Sequence, residues 1–386
     1  MATLTDAQRA AGWKIVKLGD VTTKIGSGST PRGGKSAYTE NGAILIRSQN
    51  VLDNKLDFMD AVHISAEAEQ KLKSVKVYAG DVLLNITGSG NTTIGRSAYV
   101  KNLPEVAYVN QHVSIIRVDL EKINPIYLQK YLMAFKDSLL SLSYGSTRDA
   151  LTKRIIEDFE IALPPLEEQE RIAAILGSLD DKIEANNRII QTMSDIYYES
   201  HNMALPFKKN VSVKDIVDII RVNVPAESID QEILYVALDN LPRRNIFSHS
   251  WEGSSQIMSN KSSFQKGDIL FGKLRPYFHK VSVAAIDGIC STDILVFRPK
   301  PGLEGLAYGI LGSDDIIEYA TQMSSGTRMP RVSWKDIMDY KTTITYENIE
   351  NLNLKMMNFH HMSSSLIREN TILAESHNNI IKKLIG

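Results

Sequence analysis

The chain has 386 residues, 43% of them hydrophobic and 23% charged, with 44 Lys and Arg against 45 Asp and Glu (net −1). That length gives room for two or three domains with full cores, and no apolar run of the ~18 residues needed to suggest a bilayer span is present. The single cysteine, Cys290, excludes an intrachain disulfide framework and any cysteine-rich zinc site.

In chain order, the first eleven residues contain Asp6 and Arg9 and lack the apolar centre of a secretion signal, so a cytoplasmic location is expected. Residues 1–160 then read as short β-branched runs punctuated by Gly, Asn and Ser, with a helical stretch from Pro125 to Leu142 as the clearest exception. Residues 161–206 are entered through Leu163-Pro-Pro-Leu166. They carry Ile172, Leu176, Leu179, Ile183, then Asn186 or Asn187, then Ile190, Met193 and Tyr197, in steps of four and three. That spacing is one seam on a helix packed lengthwise against another. No proline interrupts it between Pro165 and Pro206. At ~1.5 Å per residue such a helix spans on the order of 60 Å, too long to bury its seam within one compact domain.

Residues 207–346 return to the strand-rich pattern, and residues 347–386 supply the long partner. Leu352, Met356, Phe359, Ser363, Leu366, Asn370, Leu373, His377, Ile380 and Leu384 again step by four and three. Ile183, Asn187 and Ile190 correspond to Leu366, Asn370 and Leu373 at a constant offset of 183. An asparagine in an apolar seam costs stability and fixes register and partner. The competing reading is two unrelated amphipathic helices, each packed on its own domain; equal length and matched asparagines favour the pair.

The charge is unevenly spread. Residues 1–160 carry 20 Lys and Arg against 17 Asp and Glu (+3), and 207–346 carry 17 against 16 (+1). Residues 161–206 carry 3 against 8 (−5), and 347–386 carry 4 against 4. The two globular segments are thus slightly basic, which permits nucleic-acid contact without demanding it.

The globular segments also resemble one another. Lys17-Leu-Gly-Asp20-Val pairs with Val213-Lys-Asp215-Ile, and Ala43-Ile-Leu-Ile-Arg47-Ser-Gln-Asn50 with Ile233-Leu-Tyr-Val-Ala-Leu-Asp-Asn240. The Gly80-Asp81 turn matches Gly267-Asp268, and each opens an apolar strand. The strand ending in Arg117 matches the one ending in Arg298. Gly145-Ser-Thr-Arg148 and Ile156 match Gly326-Thr-Arg328 and Ile337 at an offset of 181. Five landmarks in one order predict an internal duplication, each half a twisted mixed sheet with long loops.

No convincing catalytic constellation is present. The glycine clusters at 26–33 and 88–95 lack both dinucleotide spacing and the Lys-Ser/Thr of a phosphate loop. No Pro-Asp dipeptide begins a nuclease motif, and Pro164-Pro165 follows Leu163 rather than the Asn or Asp of an amino-methyltransferase. His112 and His279 stand alone, and His360-His361 have no carboxylate at ligand spacing. No catalytic residue, metal ligand or cofactor site is therefore expected.

The loops suit reading instead. Candidates for base contact are Arg47, Gln49, Asn50, Asn85, Asn91 and Arg96 in the first half. In the second half they are Arg243, Arg244, Asn245, Lys273, Arg275 and Tyr277. Arginine pairs bidentately with guanine, and Asn or Gln with adenine, in the major groove. Ser89, Thr92, Thr93, Thr147, Arg148, Thr327, Arg328 and Arg331 suit phosphate, because a glycine turn presenting a hydroxyl and an arginine makes an anion clamp. The competing reading is solvated loops, and turns that merely start the next strand.

Two globular halves each followed by a long helix, the Gly-Asp strand starts, the Ser/Thr-Arg turns and Ile161-Ala-Leu-Pro-Pro-Leu-Glu-Glu-Gln-Glu-Arg-Ile-Ala-Ala-Ile-Leu-Gly resemble the specificity subunit of type I restriction–modification enzymes. The second copy departs from the pattern, with Lys341-Thr-Thr-Ile-Thr-Tyr in place of the Pro-Pro approach. The resemblance implies an α+β chain of two tandem mixed α/β target recognition domains, 1–160 and 207–346. They would be separated by two long helices, 161–206 and 347–386, packed as an antiparallel coiled coil in an elongated dumbbell with a pseudo-two-fold repeat. It further implies a non-catalytic subunit whose two domains each read one half of a bipartite, asymmetric DNA site. The helices would set the spacer and dock two methyltransferase subunits, with two motor-nuclease subunits added for restriction. S-adenosylmethionine, ATP and Mg would then belong to those partners and none to this chain. The alternative is a non-catalytic coiled-coil adaptor whose globular ends bind protein.

Overall fold

The computed structural model describes residues 2–31, 38–59, 61–88, 93–143, 150–201, 207–230, 232–254, 257–346 and 349–385. Two long helices, Leu166–His201 and Ile349–Leu384, have 36 residues each. The chain divides into two compact units, one made of Met1–Asp180 with Ala374–Gly386 and the other of Asp181–Leu373. Both divisions fall inside the long helices, so each unit owns part of each helix rather than ending where a helix begins.

The boundary expected at residue 160 lies inside a pairing. Glu160–Leu163 is a strand antiparallel to Lys14–Lys17, and the helix starts only at Leu166. Pro164 and Pro165 explain the gap, since proline cannot donate to a ladder yet is tolerated where a helix begins. In the second unit Phe207–Ser212 pairs in the same way with Lys341–Tyr346.

The first unit contains an antiparallel sheet in the order Thr22–Ser27, Val113–Val118, Val82–Asn85, Ser97–Tyr99. Its other four-stranded sheet runs Ala107–Val109, Ala43–Ile46, Val62–Ile64, Tyr38–Thr39, the first two strands parallel. The second unit repeats the scheme. Val217–Ile220, Ile294–Pro299, Ile269–Gly272 and Val281–Val283 form the antiparallel sheet. In the companion sheet Leu234–Val236 and Gly288–Cys290 are the parallel pair. The duplication expected from five landmarks is thus a duplication of topology.

One pair of contacts shows how closely the copies agree. Gly80 (φ +96°) and Gly267 (φ +89°) take a backbone conformation that costs glycine nothing. The aspartates that follow are buried, and each accepts two bonds from an arginine on the neighbouring strand of the sheet. Arg117 Nε and Nη2 lie 2.7 and 2.8 Å from Asp81, and Arg298 Nε and Nη2 lie 2.7 and 2.8 Å from Asp268. Each carboxylate also takes a backbone N–H, from Tyr78 or from Gln265. A buried carboxylate is tolerable only when its lone pairs are used this fully.

Within the first unit, Ile172 and Leu176 share a core with Ile381 and Ile385, and His377 Nε2 lies 3.4 Å from Asp180. Within the second, Ile190, Met193 and Tyr197 share a core with Met356 and Ile367. In each unit residue numbers rise along one helix as they fall along the other, so the packing is antiparallel. The seam asparagine is Asn186, wholly buried, whereas Asn187 is exposed; this corrects the assignment of Asn187 to the seam. Leu179 and Ile183 are half-buried. On the second helix Met356, His360, Ser363, Ile367, His377 and Ile381 face inward, while Phe359, Leu366, Asn370, Leu373 and Ile380 are half-buried. The buried line sits one residue beyond the expected one at several turns because a straight helix of 3.6 residues per turn drifts against a strict heptad.

The helix starts are tied down by side chains. Gln169 is buried and accepts from the Asn124 N–H (2.8 Å) while donating to the carbonyls of Pro164 (2.9 Å) and Lys122 (3.2 Å). Asn124 caps the helix Pro125–Ala134. In the second unit Asn353 takes over the acceptor role, receiving the Gly305 N–H at 2.6 Å. The departure of the second copy from Leu-Glu-Glu-Gln therefore preserves the contact in altered form.

Candidate nucleic-acid interface

In the second unit the loops singled out by sequence converge. Arg275 N–H donates to the Pro330 carbonyl (2.8 Å) and Val332 N–H to the Lys273 carbonyl (3.1 Å), which zips 273–275 to 330–332. Arg244 N–H donates to the His279 carbonyl (2.9 Å), bringing in the third loop. The first unit repeats the zip, with Leu151 N–H donating to the Ile86 carbonyl at 2.9 Å.

Arg244, Arg275 and His279 all have positive φ (49°, 50° and 50°). Non-glycine residues in that region are strained and persist only where their surroundings fix them. His279 supplies the fixing: Nε2 lies 2.9 Å from the Gly312 carbonyl and 3.3 Å from the Tyr198 hydroxyl, and Nδ1 lies 3.3 Å from Asp314. Burial holds this imidazole below its usual range, opposed by the Gly312 carbonyl and Asp314.

The outward side of this cluster is a cavity of about 280 Å³, bordered by Asp239, Arg243, Arg275, Phe278, Lys280 and Met329. The Arg243 guanidinium lies 4.2 Å from the Phe278 ring centre and that of Arg275 lies 5.8 Å from it. Arg275 Nη2 donates to the Arg328 carbonyl (3.3 Å), and its buried Nε has no partner among the described residues. Lys273 and Arg331 share Asp293 at 3.7 and 3.4 Å. Tyr277, Thr327 and Arg328 are exposed. A cationic, partly apolar concavity on strained loops suits contact with a polyanion and with the edges of its bases.

Three candidates for base contact are corrected by their surroundings, and a fourth is held in place by an ion pair. Asn85 is fully buried and donates to the carbonyls of Ser48 (2.9 Å), Val51 (3.1 Å) and Thr93 (3.3 Å). Asn50 is buried, accepting the Arg47 N–H (3.0 Å) and donating to the Asp57 carbonyl (2.9 Å). Asn245 is buried between Ser194 (2.7 Å) and Gln191 (2.8 Å) of the long helix. Arg244 is exposed but held by Asp314 at 2.7 Å and lies over Tyr198. The three asparagines build the loops and have no free edge to offer a base. Arg47, Thr93 and Arg96 remain half-exposed and Gln49 exposed. Ser89, Asn91, Thr92, Thr147 and Arg148 lie outside the described residues.

Residues 11–194, most of the first unit and the following stretch of the first long helix, match the family model described as the type I restriction modification DNA specificity domain. Over that segment the chain is similar to the specificity subunits of type I restriction–modification systems. Among curated specificity subunits, the putative MjaX subunit of Methanocaldococcus jannaschii is 26% identical over 186 residues, 47% of this chain and 43% of that protein. The EcoDI subunit of Escherichia coli is 23% identical over 239 residues, 50% of this chain and 53% of that one. The chain spans about half the length of the curated relatives it matches. The crystal structure of an S subunit from M. genitalium superimposes with a TM-score of 0.53 at 12% identity, covering 100% of this chain and 98% of that one. The fold of a specificity subunit, two tandem mixed domains with long helices, is thereby shared.

Within this specificity fold, sequence reasoning missed Asp239, Lys280 and Phe278. A signal for Asp239 existed in the repeat, which sets Leu238-Asp-Asn240 against Ser48-Gln-Asn50. Among the described residues no group of three or more His, Cys, Asp or Glu is placed to hold a metal, and no helix is long and apolar enough to cross a membrane.

Proposed function

We propose that this chain is the DNA-reading subunit of a type I restriction–modification complex, with each unit reading one half of a split, asymmetric site. The observation that carries this is the repetition, in a second unit beyond the matched domain, of the same sheets, the same Asp–Arg pair and the same zipped loops. Two half-sites about one helical turn apart require two readers linked by something stiff, and the paired helices are that link. The helices also dock two methyltransferase subunits, which carry S-adenosylmethionine and methylate adenine, and two motor-nuclease subunits join for restriction. The chain itself performs no catalytic step and holds no cofactor.

Base contacts are assigned to Arg47, Gln49, Asn91 and Arg96 in the first unit and to Arg243, Lys273, Arg275 and Tyr277 in the second. Phosphate contacts are assigned to the hydroxyls and arginines of the two Ser/Thr-Arg turns. Binding to duplex DNA tests the assignment, since neutralised phosphates release counterions and make affinity fall steeply with salt. A protein-binding adaptor would show no such salt-dependent duplex affinity.

A further inference from the structure

The short turns Ser48–Asn50 and Leu238–Asn240 occupy equivalent places, each following a strand of the parallel pair. Both are closed by their last residue: Asn50 Oδ1 accepts the Arg47 N–H at 3.0 Å and Asn240 Oδ1 accepts the Ala237 N–H at 2.6 Å. Both are braced at their first carbonyl by a side chain at a strand end of the antiparallel sheet, Asn85 closing Val82–Asn85 and Lys280 directly preceding Val281–Val283. Asn85 donates to Ser48 at 2.9 Å, and Lys280 donates to Leu238 at 2.9 Å. The brace has changed residue type and position while the bond has stayed.

Each turn therefore presents one side chain from a fixed backbone, Gln49 in the first unit and Asp239 in the second. Both are exposed, the Asp239 side chain completely so. Asp239 borders the same cavity as Arg243 and Arg275. The Asp239 carboxylate, 3.2 Å from the Lys280 ammonium and otherwise open to solvent, is repelled by phosphates on this face unless it also accepts a hydrogen bond from a base. The donors displayed in the major groove are cytosine N4 and adenine N6. A lone acceptor fits cytosine, whereas the paired donor and acceptor of a glutamine amide fit adenine N7 and N6.

Resting on the DNA-reading assignment above, we propose that Gln49 and Asp239 are the equivalent base-reading residues of the two units. Gln49 reads an adenine in one half-site, Asp239 accepts from a cytosine in the other, and Asn85 and Lys280 are positioning residues. The competing reading gives Asp239 only its 3.2 Å contact with Lys280.

The test is selection of randomised duplexes by the full chain in complex with its methyltransferase partner. Asp239→Asn should replace cytosine by adenine at one position of one half-site, with a change in preference of roughly ten-fold or more. Gln49→Glu should do the reverse at one position of the other half-site. Lys280→Ala should blur the Asp239 position alone, and Lys280→Arg should restore it. If Asp239→Asn and Asp239→Ala leave every preference unchanged, or strengthen binding to all sequences alike, the inference is overturned while DNA reading stands. If the unaltered complex enriches no sequence, the DNA-reading assignment itself fails.

Discussion

Asn186, fully buried on the first long helix, donates its side-chain amide to Oδ1 of Asn370 on the second at 2.9 Å. The same amide reaches Glu369 Oε2 at 2.8 Å, and Asn370 in turn donates to Asn187 Oδ1 at 2.9 Å. This polar node fixes which residues of the two helices meet, at the expense of an Asn186 Oδ1 that finds no partner among the described residues. Asn186→Ala should destabilise the protein by about 1–3 kcal/mol, because it leaves partners without their donor. Replacing Asn186 and Asn370 together with leucine should recover that loss and more, since an apolar seam is the stabler one. Urea unfolding of the three proteins checks the order; a double variant less stable than Asn186→Ala would contradict it.

Acid should weaken the second unit through buried imidazoles. Burial pushes His249 and His360 down to about 4, so both stay neutral in the folded chain while an unfolded histidine takes a proton near 6.5. Between those values the unfolded state binds more protons, so stability is complete above about pH 6.5 and is lost as pH falls toward 4. From pH 7 to pH 5 each group removes about 2 kcal/mol. His360→Leu should therefore lose about 2 kcal/mol less stability than the parent over that interval. Equal losses in denaturant titrations at the two pH values would show that His360 is not neutral in the fold.

Much of this architecture was legible beforehand. The duplication, the Gly-Asp turns and the long helices stand out because each follows from local chemistry: a glycine with positive φ, a proline-marked start, a seam at fixed spacing. What could not be read was direction. Asn50, Asn85 and Asn245 have the residue type of base readers, and only the fold turns them inward to brace the loops. Asn186 and Asn187 are adjacent in sequence, and helical drift decides which is buried. Apart from the repeat, Asp239 has no signal of its own in the sequence, and its place beside Arg243 and Arg275 comes only from the fold.

Arg275 and Arg328 should separate specificity from affinity. Arg275 borders the cavity, so Arg275→Ala should relax preference at one or two base pairs by about 1–3 kcal/mol. Arg328 is exposed on the neighbouring turn, and Arg328→Ala should weaken binding to all sequences alike and reduce the salt slope by about one. Binding isotherms on matched and mismatched duplexes at several salt concentrations check both. A changed consensus in Arg328→Ala would remove it from the phosphate set.

The spacer should follow helix length. Inserting one heptad into each helix beside Asn186 and Asn370 turns the seam by only ~20° and should lengthen the gap between half-sites while leaving both legible. An unchanged gap would dissociate the helices from the spacing.

The most direct measurement is methylome sequencing of cells that express this chain with its methyltransferase partner. The account predicts adenine methylation at a single split motif, two short specified halves around a fixed unspecified gap. Methylation that is absent, or confined to one uninterrupted motif, would contradict two duplicated readers joined by paired helices.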